Sequence, residues 1–87
     1  MSYRVFWSPY AEQLLDQLIE DSHDPQLIAL TAKQIDRLLH DDASNFGESR
    51  YDSVRIGFVH PLAVQIDLLE DVSTVIVDVV WRTDRNK

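Results

Sequence analysis

"SVRIGFVHPLAVQIDLL", residues 53–69, decides the fold. Val54, Ile56 and Phe58 alternate with Ser53, Arg55 and Gly57; beyond His60-Pro61, Leu62, Val64, Ile66 and Leu68 alternate with Ala63, Gln65, Asp67 and Leu69. An apolar residue at every second position is the pattern of a half-buried strand, and proline marks the turn between two of them. "LEDVS", residues 69–73, supplies another polar turn. Val75, Val77, Val79 and Trp81 then alternate with Ile76, Asp78, Val80 and Arg82. The spacing predicts three consecutive strands, most simply an antiparallel meander.

Upstream, the period is 3.6. "YRVFW", residues 3–7, is aromatic and β-branched and reads as a short strand that stops at Ser8-Pro9. Serine caps a helix because its hydroxyl accepts a free amide, and proline suits the first helical position. Ala11, Leu14, Leu15, Leu18 and Ile19 then follow an amphipathic helical spacing. Asp24-Pro25 repeats the same start signal, and Ile28, Ala32, Ile35 and Leu39 continue one stripe, with Lys33 and Arg37 on another face. The link between the helices is too short for anything but an antiparallel hairpin. "HDDASNFGES", residues 40–49, reads as a loop.

The expected architecture is therefore one α+β domain spanning 1–87, ordered β-α-α-β-β-β. It is a two-layer fold with an antiparallel helical hairpin on one face of a mainly antiparallel four-stranded sheet. If the large aliphatic sets face the helices, the opposite face carries Arg4, Phe6, Arg55, Gly57, Val59, Ala63, Gln65, Asp67, Ile76, Asp78, Val80 and Arg82. Nothing in the sequence covers it. Clustered exposed apolar groups mark an interface, so Arg4, Phe6, Val59, Ile76 and Val80 are the expected partner-binding residues.

Composition restricts the function. The chain carries 8 Lys and Arg against 15 Asp and Glu, a formal net charge of -7, with most of the acid before residue 46. Nucleic-acid binding rests on cations that neutralise phosphates, so direct binding is disfavoured and any anion site must be local. There is no cysteine, and the three histidines lack zinc-site spacing, so no metal is expected. With two glycines there is no phosphate-binding loop, and no cofactor is expected. The N-terminal residues lack a basic region followed by an apolar run, and no apolar stretch approaches the roughly 20 residues of a membrane span. A cytoplasmic protein with no membrane partner is the expectation.

Three stretches resemble the RelE/ParE superfamily of type II toxin–antitoxin toxins, also called plasmid stabilisation proteins. "YRVFWSPYAEQLLDQL" is similar to the family's opening strand, Ser-Pro and first helix, and "NFGESRYDSVRIGF" to its Phe-Gly loop and following arginine, here Arg55. "VIVDVVWRTD" resembles its last strand and terminal basic residue, here Arg82. The resemblance spans nearly the whole chain and implies a bacterial toxin with a cognate antitoxin as partner. Toxic members often carry an arginine and, three residues later, a tyrosine after the second strand; here Ala63 and Ile66 stand in those places.

Metal-free RNA cleavage needs a base, an acid and cations around the phosphorane. The catalytic candidates are Arg55, Arg82 and His60, with Arg4, Arg50 and Arg85 as further cations and Lys87 at the terminus. The competing reading makes His60 a solvated turn histidine and pairs Arg55 and Arg82 across strands with Asp67 or Asp78. The thinned chemistry favours a ParE-like, gyrase-directed toxin, or one of reduced activity, over an efficient mRNA endonuclease. The alternatives are a non-toxic interaction module or homodimer that retains the fold, and a ribosome-dependent mRNA interferase. If the chain is an enzyme, it is a metal-independent endoribonuclease.

Overall fold

The computed structural model describes residues 2–84; Arg85 and Lys87 lie outside them. Strand β1 (Arg4–Trp7) leads into helices α1 (Pro9–Glu20) and α2 (Pro25–Asp42), then strands β2 (Glu48–Tyr51), β3 (Val54–Val59), β4 (Leu62–Leu69) and β5 (Thr74–Arg82). Single 3₁₀ turns at Ala43–Asn45 and Glu70–Val72 link α2 to β2 and β4 to β5. Both helices start where the cap signals place them. Ser8 accepts a hydrogen bond from the Ala11 amide, Asp24 accepts one from the Leu27 amide, and a proline follows each cap.

The sheet is five-stranded, in the order β1-β5-β4-β3-β2. β3, β4 and β5 form the expected antiparallel meander, while β1 pairs parallel with β5. β2 is the strand that the sequence pattern does not announce. It is short, polar and exposed along its length. It forms because Gly47, at φ +61°, turns the chain back along β3, where a Cβ would lie 2.2 Å from the Ile56 carbonyl oxygen.

The helical hairpin packs on one sheet face, and the core lies between them. Ile28, Ile35 and Leu39 of α2 and Ala11 of α1 are fully buried with Leu62, Val64, Ile66, Val75 and Val77. Two features decide which side chains join this core. In β3, Arg55, Gly57 and Val59 pair with Ile66, Val64 and Leu62, so they share the helix-bearing face. In β5, Val77 pairs with Ile66 and Val79 with Gln65, leaving Asp78 as an extra residue, a β-bulge. The bulge reverses the alternation after it, so Val80 and Arg82 turn to the helices while Val79 and Trp81 turn away.

These features correct part of the expected outer face. Val80 is 2% exposed and belongs to the core. Val59 is half-buried against that core, and Arg55, Gly57 and Arg82 also lie on the helix side. Arg4, Phe6 and Ile76 do lie on the helix-free face, since Val5 and Trp7 pack toward the helices.

Candidate functional site

The structure does not bring the three catalytic candidates together. Arg55 pairs with Ile66 and Arg82 with Leu62, four residues further along β4, or about 13 Å at about 3.3 Å per residue. The Arg55 guanidinium donates to two backbone carbonyls, Nε to Phe46 at 2.8 Å and Nη2 to Gly47 at 3.2 Å. It therefore ties the loop before β2 onto β3. The Phe46 ring occupies the space above Gly57, where an added Cβ would lie 2.3 Å from the ring. A glycine inside a strand is the sequence signal for such an approach.

Arg82 is bound by its own neighbour. Its Nε and Nη2 donate to the two carboxylate oxygens of Asp84, both at 2.8 Å, and Nη1 reaches Ser22 Oγ in the α1–α2 link at 3.4 Å. This forked pair holds the Asp84 carboxyl below its ordinary range, with a smaller contribution from His60 nearby. His60 is exposed in the β3–β4 turn. So Arg82 and His60 share one end of the sheet, with Asp84 near both. Neither Arg55 nor Arg82 makes the expected pair with Asp67 or Asp78.

Those aspartates face each other instead, on the helix-free face. Ser53 Oγ donates to Asp67 Oδ1 at 2.6 Å, and this bond holds Asp67 below the usual carboxyl value. Burial, followed by the nearby Asp67 carboxylate, pushes Asp78 up from 3.8 to about 6. The bulge puts Asp78 beside Asp67, and two close carboxyls resist carrying two charges.

A raised carboxyl pKa means that the folded chain binds the proton more tightly than the unfolded chain. The resulting stability is complete below pH 3.8 and is lost as pH rises toward about 6. The full difference would be about 3 kcal/mol, and solvent reaching the half-buried pair reduces it to about 1–2 kcal/mol. Asp78→Asn removes one charge and keeps a donor toward Asp67. It should raise the melting temperature at pH 7.5 by about 4–8 °C, with no difference from the parent below pH 4. Calorimetry that finds the same increment at both pH values would refute the shared proton.

Around this pair the face is apolar. By register it carries Phe6, Ile76, Val79 and Trp81 from β1 and β5, Val54, Ile56 and Phe58 from β3, and Tyr51 from β2. Phe6 is 52% exposed, Phe58 63% and Tyr51 64%. The alternation of β3 had suggested the reverse, so Val54, Ile56, Phe58, Val79 and Trp81 are the site residues that the sequence pattern misplaces. On the other side of the sheet, an open groove of about 890 Å³ runs between the helices. Trp7, Leu15, Ile19 and Ala32 line it, together with the cations Lys33 and Arg37 and the acids Glu12, Asp36 and Asp41, and the Trp7 indole donates to Asp36 Oδ1 at 3.2 Å.

Two solved structures share this fold. A chain of the toxin–antitoxin complex RelBE2 from Mycobacterium tuberculosis matches with a TM-score of 0.78 at 14% identity, over 94% of this chain and 92% of that one. A chain of the chromosomal ParDE system of P. aeruginosa matches with a TM-score of 0.69 at 14% identity, over 93% and 96%. The protein thus has a RelE/ParE-type toxin fold. No family model and no curated protein matches its sequence.

Proposed function

We propose that the chain is the toxin-like component of a type II toxin–antitoxin pair, ParE-like in acting by protein contact rather than by cutting mRNA. The observation that carries this reading is how the cations are used. Arg55 is engaged by two carbonyls and Arg82 by Asp84. Arg4 and Arg50 lie on β1 and β2, the opposite edges of the sheet, and among the described residues no lysine lies on the sheet. Among the described residues no set of cations converges on one phosphate, which cleavage of a phosphodiester needs. A carboxyl pair stands on the open sheet face, and it repels RNA. The helical groove, apolar along Trp7, Leu15, Ile19 and Ala32 with side chains of both charges at its rim, suits an amphipathic segment of a cognate antitoxin.

Expression of the chain without its genomic neighbours tests the reading. The expected result is growth arrest with intact transcripts and blocked DNA gyrase, relieved by co-expressing the neighbouring gene product. Rapid mRNA loss that depends on Arg55 or His60 would replace this reading with a ribosome-dependent interferase. Normal growth would replace it with a non-toxic interaction module on the same fold.

A further inference from the structure

The helix-free sheet face is an apolar surface with a pair of acids set into it. Phe6, Tyr51 and Phe58 are exposed on it, with Val54, Ile56, Ile76, Val79 and Trp81 half-buried between them, and apolar side chains clustered in this way mark an interaction surface. The charge on it is one-signed at its centre. Asp67 of β4 and Asp78 of β5 lie on inner strands, while Arg4 and Glu48 lie at the opposite edges and Asp52 lies in the β2–β3 turn. A second copy docked through a two-fold axis near the sheet centre would set one carboxyl pair against the other. That arrangement desolvates four acids without a counter-charge, which is strongly unfavourable. A cation between the two carboxyls has the opposite effect: it relieves their repulsion and completes their hydrogen bonds.

We propose that this face docks a segment of a partner protein in which apolar side chains flank one arginine or lysine, with the cation seated between Asp67 and Asp78. The apolar flanks cover Phe6, Ile76, Val79 and Trp81 on one side and Val54, Ile56 and Phe58 on the other. The site lies across the sheet from the helical groove, so it is a second, separate surface. It does not depend on whether the chain is toxic.

The linkage to pH has a definite sign. Asp78 in the free chain holds a proton up to about pH 6, and a seated cation favours both carboxyls ionised. Docking therefore releases a proton and strengthens as pH rises through that value, by roughly tenfold between pH 5 and pH 7. A second copy burying the same pair takes up a proton and tightens as pH falls.

The probe is a random library of peptides about 12 residues long, panned against the full chain at pH 7.5, with enriched peptides synthesised and titrated by calorimetry. Enrichment of one basic residue between aromatic or aliphatic ones is expected. Binding should fall at least tenfold in the Asp67→Asn, Asp78→Asn double variant, in Phe58→Ser, and when leucine replaces the basic residue of the peptide. Phe58 is exposed, so its variant keeps the fold, and circular dichroism verifies this. Peptides without a basic residue, binding indifferent to all three changes, or a library that yields no binder to this face would each overturn the proposal. Light scattering that finds a dimer tightening as pH falls would overturn it too, by giving the face to a second copy.

Discussion

Gly57→Ala is expected to destabilise the protein by about 3 kcal/mol, the upper end of the range for overpacking a well-filled core. The alanine Cβ would lie 2.3 Å from the Phe46 ring, and both ends of the contact are fixed. Gly57 sits mid-strand between paired neighbours, and the Phe46 backbone is tied by its carbonyl to Arg55. The ring is itself 8% exposed, so pushing it out forfeits much of what a buried phenylalanine contributes. A chain of this length has about 4–13 kcal/mol of stability in all, so a single methyl group removes a large share. Phe46→Ala alone should cost about 3–5 kcal/mol. In that background Gly57→Ala should cost under about 1 kcal/mol, because the space is already empty. Urea denaturation of the four chains in this cycle measures the coupling. Additive losses would mean that ring and glycine do not meet.

The same packing explains how much of the fold was legible. Both helices, their caps, the meander and the layer order follow from signals local in sequence: Ser8-Pro9, Asp24-Pro25 and the change of period after residue 50. Which face of a strand points inward is not a local property when both sets of alternating residues hold apolar side chains. In β3 the set with the larger apolar residues, Val54, Ile56 and Phe58, points away from the helices, because loop residue Phe46 already fills the inner side. The short strand β2 escaped notice for a related reason. Its four residues are all exposed, so they carry no alternation, and only Gly47 marks its start.

The candidate site was partly legible on the same terms. Arg55 and Arg82 were singled out as cations, but a guanidinium does chemistry only if it is free. The sequence does not tell whether a nearby carbonyl or carboxylate engages it. Asp84 lies only two residues beyond Arg82, while the Phe46 and Gly47 carbonyls reach Arg55 through the β2 turn. Both arginines therefore hold the fold, and the surface left for recognition is apolar with a carboxyl pair.

The bulge at Asp78 makes the sharpest test of that surface, through two adjacent valines. Read without a bulge, β5 buries Val79 and exposes Val80. With it, Val80 pairs with Val64 in the core and is 2% exposed, while Val79 pairs with Gln65 on the open face. Val80→Asn should cost about 3–5 kcal/mol, combining the lost burial of a valine, about 1.5–3 kcal/mol, with an amide that finds no partner among aliphatic side chains, about 1–3 kcal/mol. On the scale of the stability of this chain, that leaves a substantial unfolded fraction at 37 °C. Val79→Asn keeps its amide in contact with water and removes a half-buried side chain, so about 1 kcal/mol is expected. Chemical denaturation of the two variants compares them directly. The reverse order, with Val79→Asn the more damaging, would remove the bulge. Trp81 would then return to the core with Val79, and Arg82 to the open face at the Leu62 end of β4, far from Asp67.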